Sequence, residues 1–403
     1  MKYLVVFILL QFNVLHAQWV QTSGANSSTI RGFAANGEGI FACFTARYDS
    51  AGVIRSTDNG INWSNVSTGL PLREIDAIMT TGSDLYAAEN DAGVYRSTNN
   101  GTSWTATGIV TAYIYRLAAM GTNLFAGDAN NGVLFSTDNG TSWTTVNNGL
   151  TNTLIRAFFV TGSSIFAGTR GGGLFISTNN GANWTAINSG LNKYDYAITQ
   201  IGSNLFAGTG NAGVFLSTNN GASWTAVNNG LPVANPVYAL AVSGTNLFAG
   251  IYGSGVYLST NNGSNWTEVN TGLTYKSIQA LAISGSYLFA GADLSGVFRR
   301  PLSEMITAIE RSSESPTEFM LSQNYPNPLN PSTKIKYSVP KSSNVMIKVF
   351  NILGAEIETL VNEEKPAGIY ELTWTAANLP SGVYFYKIQA GSFVETKKMV
   401  LLK

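Results

Sequence analysis

The chain has 403 residues, with 23 Lys and Arg against 23 Asp and Glu, and only 11% of its residues are charged. Residues 1–300 are balanced too, at 13 basic against 13 acidic side chains, so nucleic-acid binding through phosphate neutralisation has no support. A single cysteine, Cys43, excludes an intrachain disulfide.

The chain opens with "MKYLVVFILLQFNVLHA", a lysine followed by a short apolar run and a small residue. This predicts a secretory signal peptide over residues 1–17, cleaved after Ala17. The apolar run is shorter than a membrane span needs, and none is expected in the mature chain. The only histidine, His16, lies inside this segment. Its removal leaves no Ser-His-Asp or Cys-His centre and no histidine metal site. No cofactor, metal site or catalytic residue is assigned from the sequence.

From Trp19 to about residue 300 the chain repeats. "STDNGINW", "STNNGTSW", "STDNGTSW", "STNNGANW", "STNNGASW" and "STNNGSNW" end at Trp63, Trp104, Trp143, Trp184, Trp224 and Trp266, at spacings of 41, 39, 41, 40 and 42. A period near 40 marks units that bury their faces against one another. Each unit holds four short apolar runs separated by turn residues, as in "YAITQI", "NLFAGT", "GVFLS" and "SWTAVN". Four strands at this period predict a β-propeller blade. Units of the form "LFAG…GVF" begin at Ile40, Leu85, Leu124, Ile165, Leu205, Leu247 and Leu288, which makes seven. The seventh lacks its Trp strand, and "WVQTSG" at Trp19 supplies one, so an N-terminal strand is expected to close the ring. Cys43 replaces the glycine of "LFAG" and reads as a small buried residue.

These motifs resemble the Asp-box, Ser-x-Asp-x-Gly-x-Thr-Trp, of the BNR-type propellers. That superfamily includes sialidases, Vps10-type sorting receptors, some xyloglucan hydrolases and photosystem assembly factors, so the resemblance speaks for fold more than for function. Asp58 and Asp138 keep the acid; Asn99, Asn179, Asn219 and Asn261 replace it. The box supplies turn chemistry: Asn or Asp bonds the backbone two residues on, Asn-Gly takes positive φ, and the Trp packs against the next sheet.

Residues 301–318 read as a polar linker after the 18–300 propeller. From Phe319 a second module begins, and nine of the chain's lysines fall in residues 301–403. Alternation such as Lys334 and Lys336 against Ile335 and Tyr337 marks half-buried strands, and six or seven of them suit a small Ig-like β-sandwich over 319–403. This stretch is similar to the type A C-terminal sorting domain of the type IX secretion system. Asn324-Tyr325-Pro326-Asn327-Pro328, Leu353-Gly354, Ser381-Gly382-Val383-Tyr384 and Thr396-Lys397-Lys398-Met399 carry the likeness, and Leu329 departs from it where Phe is frequent. The resemblance implies export through the periplasm, handling by the type IX machinery through residues 319–403, and a secreted or cell-surface protein of a bacterium.

Strand order places the loops from strand four to strand one, and from strand two to strand three, on the face opposite the boxes. Six residues before the glycine after each first strand stand Arg31, Asp76, Tyr115, Arg156, Tyr196, Tyr238 and Gln279. Each is followed by Ala or Gly, except that Arg116 follows Tyr115. This column is expected to ring the channel mouth, where Tyr offers a stacking surface and Arg a planar fork. Neighbouring loops add Arg47, Tyr48, Asp49, Glu89, Asp91, Asp128, Arg170, Tyr252 and Asp293. The functional reading is an extracellular binding protein for a glycan or protein ligand. The alternative is a glycoside hydrolase of sialidase or glucan type, with Asp76 and either Glu89 or Asp128 flanking the bond. The absence of an Arg-Ile-Pro stretch and the short loops favour binding.

Overall fold

The computed structural model describes residues 18–23, 27–46, 51–71, 73–109, 113–191, 195–306 and 318–402. The expected signal peptide at residues 1–17, the loop residues Arg47, Tyr48 and Asp49, and most of the expected linker lie outside the described residues, as does the side chain of Tyr196. The chain forms two compact units, Met1–Ile306 and Thr307–Lys403.

In the first unit, sheet I runs through Ser28–Asn36, Gly39–Ala46, Ala51–Ser56 and Ser64–Asn65 in antiparallel order. Five more four-stranded sheets repeat that order, opening with Ile75–Thr81, Ile114–Met120, Ile155–Thr161, Asp195–Ile201 and Val237–Ser243. Sheet VII holds Ile278–Ser284, Tyr287–Ala292 and Gly296–Pro301, and its fourth strand is Val20–Gln21, paired Val20 to Arg299 and Gln21 to Phe298. The first strands neighbour one another in succession, and that of sheet VII returns to that of sheet I. This is an all-β, propeller-like architecture with, among the described residues, one short helical turn at 302–306.

The second strands explain why the sheets stack. In "NLFAGT" successive side chains face opposite sheets. Leu205 and Ala207 pack towards sheet IV, and Phe206 packs towards sheet VI. The glycine that follows is a close approach: a Cβ on Gly208 would meet Val237. Sheet VII meets sheet I in the same way, burying Phe289 and Val297 with Ile30, Ile40 and Ile54. Each such buried side chain contributes about 1.5–3 kcal/mol.

The repeated box forms one turn six times. In the first copy the Ser56 hydroxyl donates to Asp58 Oδ1 at 2.8 Å and accepts from the Gly60 amide at 2.8 Å. Asn59 adopts φ +57° and Gly60 φ +77°, where asparagine and glycine are tolerated. The carboxylate accepts from the amides of Ile61 and Asn62, three and four residues on rather than the expected two. Such hydrogen bonds hold Asp58 and Asp138 down at about 2; the Asn62 amide leads at Asp58 and the Ser142 hydroxyl at Asp138. The Trp packs backwards, not onto the next sheet: Trp104 Nε1 donates to Val66 O, Trp184 Nε1 to Val146 O and Trp266 Nε1 to Val227 O. Trp19 takes the matching place, with Nε1 on Val269 O and its amide on Thr271 O. Trp63 reaches Thr22 Oγ1, and Trp143 turns back to Gly140 O.

The chain stays in the first unit beyond residue 300. Leu302 and Met305 are buried, and the Leu302 amide donates to Ser286 O. The second unit has a three-stranded sheet (Met320–Leu321, Ser332–Val339, Gly368–Thr375) and a four-stranded one (Glu356–Lys365, Ser343–Asn351, Gly382–Ala390, Phe393–Leu401). Ile335 and Trp374 from the first of these sheets share one core with Ile347 and Tyr386 from the second, and Leu329 joins them. The Tyr386 hydroxyl donates to Ser322 O and accepts from the Asn324 amide, both at 2.7 Å.

Candidate functional site

The expected column has a structural cause that alternation alone does not supply. Every first strand pairs with its second strand in a register that skips one residue. The breaks fall between Ile30 and Gly32, Ile75 and Ala77, Ile114 and Arg116, Ile155 and Ala157, Asp195 and Ala197, Val237 and Ala239, and Ile278 and Ala280. The skipped residues are Arg31, Asp76, Tyr115, Arg156, Tyr196, Tyr238 and Gln279. A bulge leaves its residue out of the ladder and re-aims its side chain.

Six of the seven line one cleft of about 370 Å³: Arg31, Asp76, Tyr115, Arg156, Tyr238 and Gln279. Glu74, Asn90, Arg116 and Arg170 complete the lining. Backbone bonds tie together the loops that carry them. The Asn90 amide donates to Glu74 O, the Arg170 amide to Leu154 O and the Tyr252 amide to Pro236 O. In these three sheets the strand-two exit is thus fixed to the strand-one entry of the same sheet.

Arg31 Nε stands 3.7 Å from Asp76 Oδ1, outside hydrogen-bond range, and has no hydrogen-bond partner. The Arg156 guanidinium carbon stands over the Tyr115 ring, 4.0 Å from its centre, a cation–π contact, and Arg156 Nε is also without a hydrogen-bond partner. Arg116 takes the place of the small residue that follows the bulge in the other sheets and donates Nη1 to Tyr115 O at 2.7 Å. Tyr238 meets Tyr252 edge-to-face at 5.7 Å. Burial pushes the Asp76 carboxyl above the ordinary carboxylate range, while Arg31 and Arg116 pull it down. Below the Arg31–Gly32 step, Cys43 is fully buried; burial first and Asp76 second push its thiol up to about 12.

The structure does not bring Glu89 and Asp128 to the cleft. Both are fully buried at the ends of their second strands. Asp128 Oδ1 accepts the amides of Asn130 and Asn131, so this carboxylate folds its own turn. The Asp76–Glu89 and Asp76–Asp128 pairs considered from the sequence therefore do not flank the cleft. Asp293 accepts the Thr29 hydroxyl at 2.6 Å, and Asp91 stands 4.0 Å from Arg73. Glu74 and Asn90 were missed because nothing in the repeat marks them. A repeated structural residue was missed too: Asn147, Asn188, Asn228 and Asn270 each accept a strand-three amide with Oδ1 and donate Nδ2 to the preceding turn.

The fold defines the class: an all-β, propeller-like array followed by a second unit of two sheets around one core. The chain belongs to the family described as the DUF6242 beta propeller domain, matched over residues 17–153 and 124–248. Residues 323–402 are a secretion system C-terminal sorting domain. The chain is accordingly exported by the type IX secretion system to the cell surface or extracellular space. Among the described residues, no helix is long and apolar enough to cross a membrane.

No curated protein matches the chain. Among solved structures it is similar to PorZ, an essential bacterial surface component of the type IX secretion system of Porphyromonas gingivalis, at 14% identity and TM-score 0.58. The match covers 92% of this chain and 59% of that one, so the chain spans less than two thirds of PorZ. It is also similar to YCF48 from Cyanidioschyzon merolae (14% identity, TM-score 0.55, 71% of this chain and 98% of that). A GH74 xyloglucanase from Xanthomonas campestris is similar too (16% identity, TM-score 0.57, 79% and 59%). At these identities the likeness is one of fold.

Proposed function

We propose that this chain is an Asp-box propeller of seven blades, closed by the strand that follows a cleaved leader, and that it is an extracellular binding protein. Its ligand, a glycan or a protein, sits in the bulge-lined mouth, and the segment after Ile306 joins the propeller to the sorting module. The observation that carries this reading is where the repeats differ. Box and strand-two residues are near-copies from sheet to sheet, as packing demands. The bulge residues are Arg, Asp, Tyr, Arg, Tyr, Tyr and Gln in turn. A position that the fold repeats but the chemistry does not is available for recognition. A polar cleft with flat aromatic faces and planar cations suits orientation-specific binding.

The test is a glycan and protein array probed with the mature chain and with a Tyr115→Ala, Tyr238→Ala double variant. The expected outcome is a ligand lost by the double variant while its melting curve is kept. Binding of every retained ligand at full strength by that variant would remove the mouth as the site.

A further inference from the structure

The same cleft carries information on ligand class, and this step rests on the mouth being the binding site. Among the described residues of the lining, four arginines, Arg31, Arg116, Arg156 and Arg170, face two carboxylates, Glu74 and Asp76, a positive excess. Arg31 and Arg156 each hold a buried Nε without a hydrogen-bond partner, although an unpaired buried donor is costly. Tyr115, its ring 4.0 Å from the Arg156 guanidinium carbon, holds that cation at the mouth before any ligand arrives. Among the described residues the lining contains no aliphatic side chain: each is charged, an amide or a tyrosine. Such a wall offers a peptide's apolar side chains only tyrosine faces to pack against, and it suits a polyhydroxylated ring that stacks on tyrosine and hydrogen-bonds at its edge.

We infer that the mouth binds an acidic saccharide, with the sugar's oxyanion held by Arg31 and Arg156 and its ring set against Tyr115 and Tyr238. Asp76 acts as a built-in competitor. It stands 3.7 Å from the Arg31 Nε and holds part of that charge until the ligand's anion arrives. The shared chemistry is an oxyanion on a sugar, either a uronate carboxylate or a sulfate ester.

The experiment is isothermal titration of the full mature chain with four probes: an oligogalacturonate, its methyl-esterified neutral form, a heparin-derived sulfated oligosaccharide and a poly-glutamate peptide. Wild type should bind one or both acidic saccharides, and bind more weakly as salt rises; the arm that responds assigns carboxylate or sulfate. Arg31→Gln and Arg156→Gln should each weaken binding about tenfold or more, as loss of a charged hydrogen bond does. Asp76→Asn should tighten it, a gain that a misfolded variant could not give. Arg299→Gln, at a cation that stacks on Tyr287, should bind as wild type does. Equal binding of the neutral ester, or undiminished binding by both arginine variants, overturns the inference. So does binding of the peptide alone. If in these cases Tyr238→Ala still abolishes binding, the mouth stands and only the ligand class falls; if it does not, both fall.

Discussion

Glu89 offers the sharpest test of how the fold treats charge. Its carboxyl is fully buried at the end of the second strand of sheet II. Desolvation raises it from 4.5 to about 7, with the nearby Ala92 amide and Arg73 pulling the other way by less. The folded carboxyl therefore keeps its proton up to about pH 7, whereas the unfolded one releases it near 4.5. Between those values unfolding releases a proton, so stability falls as pH rises, by about 1.4 kcal/mol per unit. A shift of that size removes about 3 kcal/mol by pH 8. Glu89→Gln keeps the shape of the neutral acid and abolishes the titration. Urea unfolding of both proteins from about pH 5 to 8.5, followed by tryptophan emission, should give similar midpoints at the acid end. The variant should then gain steadily to about 3 kcal/mol at pH 8. Parallel curves across the range would refute the assignment of a neutral buried acid.

Three further outcomes follow from the same structure. Trp19→Ala removes a buried indole and its bond to Val269 O, and should cost about 3–5 kcal/mol in urea unfolding, with new protease cleavage in sheet VII; an unchanged midpoint would deny the N-terminal strand any part in stability. Ser136→Ala strips the Gly140 amide of its buried acceptor and should cost about 1–2 kcal/mol in the same assay, whereas Thr141→Ala on the exposed side of the turn should cost under about 0.5. Tyr386→Phe leaves the Asn324 amide without its acceptor, and should speed amide hydrogen exchange over residues 320–324 relative to the opposite strand.

Much of the fold was legible because a repeat displays its own constraints. Ser, Asn and Gly recur where a hydroxyl, an αL residue and a second positive φ are required. "LFAG" recurs where alternate faces meet two neighbouring sheets. The missing seventh Trp pointed to Trp19, whose indole takes the bond that its counterparts make. Which way the tryptophans pack was not legible: the chain fixes that an indole follows the turn, but the twist and stacking of whole sheets put Val66 O, in the preceding sheet, within its reach.

The site divides along the same line. The column of seven could be counted from the sequence, since each stands a constant distance before a glycine. What the sequence could not state is the bulge, because a skipped pairing depends on how two strands align, and that is settled by packing on both faces of the sheet. Glu89, Asp128 and Asp76 look alike as acidic residues near one face; only the tertiary structure buries the first two in their own sheets and leaves the third among arginines. Local chemistry, repeated often enough, determined the architecture. Which charges meet was decided by the register of neighbouring strands, because a shift of one residue turns a side chain from the core to the opening.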